Sequence, residues 1–235
     1  MERLLLPYDG SPTAAAIVPR IRGWLAKCHL EVVVLRIVDL QSAGAAAYPI
    51  EGVAAAGILA ELEKEAQRSA DGLVADLRGA GLTARAEVAV GRPVSEILDA
   101  AERLEPAFIA LSTHGRTGLA RWAFGSVTEK VLRKSRHPLL VLPSFTRHDR
   151  ERVPQTAELA PRHILVPIDG SELARDVAPH ATAFAKLFGA DITVIHVVPP
   201  GLGDMPRPLA SLYVETARDE YRGVDVWADT LLRDG

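Results

Sequence analysis

The residues best suited to chemistry lie in one glycine-bearing stretch, Leu111-Ser-Thr-His-Gly-Arg-Thr-Gly-Leu-Ala-Arg-Trp-Ala-Phe-Gly-Ser-Val-Thr-Glu129. Gly115 and Gly118 let a backbone approach a ligand closely, because no Cβ stands in the way. Gly125 immediately precedes Ser126, where apolar residues at helical spacing begin. The free N–H groups of Ser126, Val127 and Thr128, together with the helix dipole, would then face an anion, and phosphate suits that geometry. The same letters have a second reading. Ser126 with Glu129 three residues on spells a capping box, which needs no ligand.

Other chemistries find less support. His114 sits beside this loop, but nothing at readable spacing supplies an orienting partner and a nucleophile, so a positional or hydrogen-bonding role is expected of it. His29, His137, His148, His163, His180 and His196 show no metal-ligand spacing. Cys28 is the single cysteine, which excludes an internal disulfide and points to a reducing compartment. Arg116 and Arg121 are available to neutralise phosphate from the loop, although such arginines are commonly just solvated. No P-loop run is present, and no Gly-x-Gly-x-x-Gly follows the first strand.

The elements that must hold this loop come from hydrophobic patterning. Apolar runs at 3–8, 31–38, 84–90, 108–112 and 139–142 alternate with helical periodicity at 54–79, 93–104 and 126–135, the pattern of a parallel sheet with crossover helices. Leu59, Leu62, Ala66, Leu73 and Leu77 share one helix face. Arg85 and Glu87 alternate with Ala84, Ala86 and Val88, as in a strand with a wet face at a sheet edge. Ser11 is the expected N-cap of the first helix, which also carries Cys28, and Pro12 occupies its first position. The loop at 111–126 follows the fourth strand, at the end of the sheet where doubly wound folds take ligands.

A repeat governs the rest. Leu-Pro-Tyr-Asp9-Gly-Ser returns as Val-Pro-Ile-Asp169-Gly-Ser, an offset of 160, and Val34 and Val38 return as Val194 and Val198. Between the copies, Arg147 to Arg152 and then Pro154 and Pro161 read as a linker. After Pro199-Pro200-Gly201 comes a helical stretch at about 207–222, and Gly223-Val-Asp-Val resembles the entry to the third strand at Gly81. The expected domains are 1–145, a linker 146–162, and a partial second copy 163–235 holding only the first three strands. That copy keeps Asp169 but has no counterpart of the glycine loop, so no phosphate site of this kind is expected in it. Its strand 164–168 would be left with an apolar edge open to pairing.

The spacing Ser112-x-x-Gly115, nine residues, Gly125-Ser126, followed by Val127-Thr128-Glu129-Lys130-Val131 and Pro138-Leu-Leu-Val-Leu-Pro143, resembles the nucleotide-binding signature of the universal stress protein family. Pro7-Tyr-Asp9-Gly-Ser11 at the end of the first strand resembles it too. The family pattern is Gly-x-x-Gly, nine residues, Gly-Ser/Thr, and Ser112 departs from it at the first glycine. The resemblance implies a five-stranded α/β sheet of order 3-2-1-4-5 with helices on both faces and an ATP site between strands one and four. It implies that Pro7, Asp9, Ile37 and Leu111 surround adenine or ribose, and that Ser112, Gly115, Gly125, Ser126 and Val127 hold phosphates. Asp9 also suits a helix-capping role. Mg²⁺ on the phosphates is expected, though no carboxylate cluster is dedicated to it. A homodimer through strand five, Leu139 to Leu142, or a pseudo-dimer with the second copy, is the expected assembly.

Composition closes off other classes. The apolar fraction of 48%, the charged fraction of 24% and the net charge of −3 are those of ordinary globular chains. A sequence pI near 6.2 supplies no basic field for nucleic acid. No stretch approaches a membrane span and no signal peptide precedes Pro7, so the cytoplasm is the expected location. The functional expectation is a non-catalytic nucleotide-binding stress module. Slow ATP hydrolysis, or a dimerisation module with an empty pocket, are the alternatives.

Overall fold

The structure, a computed structural model, describes residues 2–15, 17–25, 28–40, 53–112, 125–142, 160–168, 171, 174, 176–198 and 226–232. The chain divides into two compact units, Met1–Glu158 and Leu159–Gly235.

In the first unit, β1 (Glu2–Tyr8), β2 (Leu30–Val38), β3 (Thr83–Val90), β4 (Phe108–Ser112) and β5 (Leu139–Leu142) form one sheet of order β3-β2-β1-β4-β5. Every adjacent pair is parallel. Helices α1 (Pro12–Ala15), α2 (Val18–Leu25), α3 (Val53–Gly79), α4 (Pro93–Leu104) and α5 (Ser126–Lys134) connect them. This is the doubly wound arrangement that the alternating pattern predicts. Ser11 Oγ accepts the Ala14 N–H at 3.1 Å, so it caps α1 as expected. Cys28 lies beyond α2, not on a helix: its N–H bonds the Leu25 carbonyl at 2.9 Å in a tight turn.

Side-chain alternation sorts the core onto two faces. Leu5, Val33, Leu35, Ile109 and Leu111 pack with Ile97, Ala100, Ala101 and Leu104 of α4 and Val131 of α5. The opposite parity, Leu4, Leu6, Val32 and Val34, is buried on the other face. There α3 lies along β2 and β3 and buries Ala66, Ala70, Leu73, Val74 and Leu77.

The edge strand β3 keeps its charges by pairing them. Glu31 receives Arg3 Nε at 3.3 Å and Arg85 Nε at 3.2 Å, while Glu87 binds both Arg85 and Arg103 of α4. Arg3 also donates to the Leu104 carbonyl at 3.0 Å, closing the last turn of α4. The hydrogen bond from Arg103, with further help from Arg85, holds the Glu87 carboxyl below its ordinary value despite its burial.

In the second unit, β6 (His163–Ile168), β7 (Asp191–Val198) and β8 (Val226–Leu232) form a parallel sheet of order β6-β7-β8. Helix α6 (Val177–Phe188) sets Ala178, Ala181 and Ala185 against Val166, Ile192 and Val194. The register repeats that of the first unit. Arg3↔Glu31 becomes His163↔Asp191: Arg3 Nε lies 3.3 Å from the Glu31 carboxylate, and His163 Nδ1 lies 3.6 Å from that of Asp191. Burial differs sharply at one equivalent position: Leu5 is 0% exposed, Leu165 59%. In the first unit β4 pairs with β1 and α4 covers it. Among the described residues of the second unit no element corresponds to either. The expected helix at 207–222 lies outside the described residues.

Candidate functional site

The sheet opens at its centre. β1 and β4 pair at Leu4↔Phe108 and Leu5↔Ile109 alone, although β1 runs on to Tyr8 and β4 to Ser112. Each strand stays paired on its outer side, β1 through Tyr8↔Arg36 and β4 through Ser112↔Leu142. The two halves of the sheet therefore part at the carboxyl end, where the winding direction reverses, which is the switch point at which such sheets take ligands. Pro7 lies in this stretch and has no N–H to continue a ladder.

Three of the apolar residues singled out from the sequence meet here. Ile37, Leu111 and Val127 belong to the cluster that also holds Leu5 and Ile109. Pro7, two residues after Leu5, shares its face. Leu111 is 5% exposed, so its side chain is core and what it offers a ligand is backbone.

Asp9 opens the turn after β1. Its Oδ1 accepts the Ser11 N–H at 2.9 Å, while Ser11 itself caps α1. Capping thus falls to Ser11, and Asp9 organises the turn with one oxygen, the other having no partner among the described residues. Gly10 takes a left-handed φ of +75°, which glycine reaches without strain, and Arg36 Nη2 would lie 3.5 Å from a Cβ there.

Across the crevice stands the amino end of α5. Its N-cap is Gly125, at φ −59° and ψ 150°, with no side-chain cap. The capping-box reading of Ser126 and Glu129 is therefore corrected. Ser126 is the first helical residue, the Glu129 N–H makes the first intrahelical bond to the Gly125 carbonyl at 2.9 Å, and the Glu129 carboxylate pairs with Arg133 at 3.1 Å. What decides the frame is Thr128. It is buried, and its hydroxyl donates to the Ser112 carbonyl at 2.8 Å, tying the first turn of α5 to the end of β4. The amides of Ser126, Val127 and Thr128 precede the first intrahelical bond, and Gly125 brings no side-chain oxygen to them. Arg133 and Lys134 occupy the last turn, where cations suit the dipole.

Gly115, Gly118, His114, Arg116, Arg121 and Trp122 lie outside the described residues. The tether through Thr128 was not legible in the sequence, where this threonine figured only as an amide. Cys28 fits a packing role: its Sγ lies 3.6 Å from the Trp24 carbonyl, and burial pushes the thiol above its ordinary value, away from thiolate chemistry. Among the described residues no group of three or more candidate ligands gathers to hold a metal, and no helix is long and apolar enough to cross a membrane.

A parallel five-stranded sheet parted at its switch point, with a bare helix amino end on one lip, defines a doubly wound α/β protein of the Rossmann-like kind. The model of the universal stress protein family matches residues 1–143 and 161–224, and the chain belongs to that family, with two family segments in tandem. Universal stress protein MJ0531 of Methanocaldococcus jannaschii is 28% identical over 145 residues, covering 60% of this chain and 81% of the relative. Universal stress protein MJ0577 of the same organism is 26% identical over 152 residues, covering 60% and 94%. The crystal structure of a universal stress protein from Archaeoglobus fulgidus superposes with a TM-score of 0.71 at 22% identity, over 99% of this chain and 79% of that one. That last likeness is one of fold.

Proposed function

We propose that the chain binds an adenine nucleotide, ATP foremost, in the crevice between β1 and β4, and acts as a non-catalytic binding and signalling module of the stress response. The observation that carries this reading is the early end of the β1–β4 ladder opposite an α5 amino terminus capped by glycine alone. In this reading Pro7, Asp9, Ile37 and Leu111 surround the base and ribose, with the second Asp9 oxygen accepting from a ribose hydroxyl. Ser112, Gly115, Gly125, Ser126 and Val127 hold the phosphates, whose charge meets the unpaired amides of α5. Mg²⁺ enters on the phosphates, which supply it with oxygen ligands. Residues 1–145 form the binding domain, 146–162 a linker and 163–235 the second copy. A cytoplasmic location fits a chain with a lone thiol.

Mechanistically the output is linkage. A ligand that binds one conformation better stabilises it, by about 2.7 kcal/mol at a hundredfold excess over Kd. Thermal unfolding with and without millimolar Mg-ATP tests the reading. The wild type should gain several degrees, and Gly125→Val should lose that gain. Because the Gly125 backbone angles are open to any residue, the variant's stability without nucleotide should stay within about 1 kcal/mol. No gain in the wild type would refute nucleotide binding and leave the empty dimerisation module. Turnover that copurifies with the protein and disappears in Gly115→Val would establish hydrolysis instead.

A further inference from the structure

One arginine at the carboxyl end of the sheet has no role above. Arg36 stands opposite Tyr8 in the last pair of the β1–β2 ladder, and its side chain bends forward along its own strand, where Nη1 donates to the carbonyl of Ile37 at 3.1 Å. Successive carbonyls of a strand point to opposite sides, and that of Val38 accepts the Gly91 N–H on the β3 side at 3.1 Å. The Ile37 carbonyl therefore faces the β1 side, just past the last pair that β1 makes. The same guanidinium lies against the turn after β1. A Cβ on Gly10 would meet Arg36 Nη2 at 3.5 Å and Nε at 3.7 Å. Arg36 thus spans the end of β2 and the turn that begins with Asp9.

This placement does not satisfy the arginine itself. Its Nε is buried without a hydrogen-bond partner, and a buried donor left unpaired is a cost to the fold. Among the described residues no carboxylate pairs with it. Nor is the arginine a fixture of the repeat, because the second copy sets His196 at the same register, Ile168↔His196 against Tyr8↔Arg36. What the guanidinium secures is one spatial relation, the Ile37 carbonyl held beside the Asp9 turn, and its planar, rigidly spaced donors suit that task. Resting on the nucleotide reading above, we infer that Arg36 is a positioning residue for the base and ribose, fixing the Ile37 carbonyl against the Asp9–Gly10 turn so that this part of the crevice is formed before the ligand arrives. It acts through Ile37 and Gly10, apart from the phosphate-binding amides of α5.

Calorimetric titration of the full chain with Mg-ATP and with Mg-tripolyphosphate tests this, because the second ligand carries phosphates without base or ribose. Arg36→Met should bind ATP about tenfold more weakly than the wild type, and tripolyphosphate to within about twofold of it. Arg36→Lys keeps the charge and a donor for the carbonyl, and should bind ATP at least about threefold more tightly than Arg36→Met. An equal fall for both ligands in Arg36→Met, as a lost charge or a loosened fold would give, overturns the inference while nucleotide binding stands. So does an ATP affinity unchanged within about twofold, or a lysine variant no better than the methionine one. A wild type that binds neither ligand at millimolar concentration overturns the nucleotide reading and this inference with it.

Discussion

Replacing Thr128 by valine removes one hydroxyl from a buried site while nearly keeping its shape, and isolates the bond that joins α5 to β4. The Thr128 hydroxyl lies 2.8 Å from the Ser112 carbonyl, and Thr128 is 5% exposed. A neutral hydrogen bond contributes about 1 kcal/mol net, and a buried hydroxyl replaced by a methyl gives that bond up. The expected loss is about 1–2 kcal/mol, or about 2–8 °C in melting temperature for a unit of this size. Thr128→Ser is the control. It keeps the hydroxyl and gives up one methyl, a loss of about 1 kcal/mol. The two variants separate in the nucleotide readout. The bond fixes the first turn of α5 against the carboxyl end of β4, so Thr128→Val should weaken the stabilisation by Mg-ATP, while Thr128→Ser should retain it. Differential scanning fluorimetry with a nucleotide series measures both quantities. A valine variant as stable as the wild type within 0.3 kcal/mol or so, with the same nucleotide response, would refute the tether.

Leu5→Ala should cost about 2–5 kcal/mol in urea unfolding and Leu165→Ala less than about 1 kcal/mol, the same substitution at equivalent positions of the repeat, and equal costs would contradict the burial difference. The Glu87 carboxyl, held low by Arg103 and Arg85, stabilises the fold at neutral pH, and that contribution is lost as pH falls from the ordinary glutamate value through the depressed folded one. Wild type and Glu87→Gln should accordingly differ in stability at pH 7 and converge in strong acid, as pH-dependent chemical denaturation would reveal. Strand β5 ends the sheet with the uncharged run Leu139 to Leu142, so a homodimer through it should dissociate in Val141→Lys. Sedimentation over a concentration series decides, and a wild type that stays monomeric throughout rules out that dimer.

Local pattern was sufficient for several of the elements, although it carried the first helix on to Cys28, which lies in a turn beyond α2. The period-two run at Ala84 to Val90, the helical stripe from Ala66 to Leu77 and the Ser11-Pro12 start are properties of neighbouring residues, so they were readable without coordinates. The internal repeat was equally visible in the letters, and the coordinates add its register, which sets His163 beside Asp191 as Arg3 stands beside Glu31. Choosing between Gly125 and Ser126 as the cap of α5 was not a local matter. Both residue types start helices, and the frame was set by a threonine hydroxyl reaching a carbonyl sixteen positions earlier in sequence.

The crevice is the clearest case of what the chain's letters leave open. Leu-Leu-Leu-Pro in β1 and Ile-Leu-Val-Pro in β6 are nearly one sequence, yet one strand is central and covered and the other ends its sheet with Leu165 exposed. Propensity makes both of them strands. Burial, and where a ladder stops, depend on what arrives from far along the chain: β4 and α4, about a hundred residues after β1, close one side of that strand and leave its last three residues parted from Ala110, Leu111 and Ser112. Secondary structure is written in contacts a few residues apart. A binding site is a gap between segments that only folding brings together.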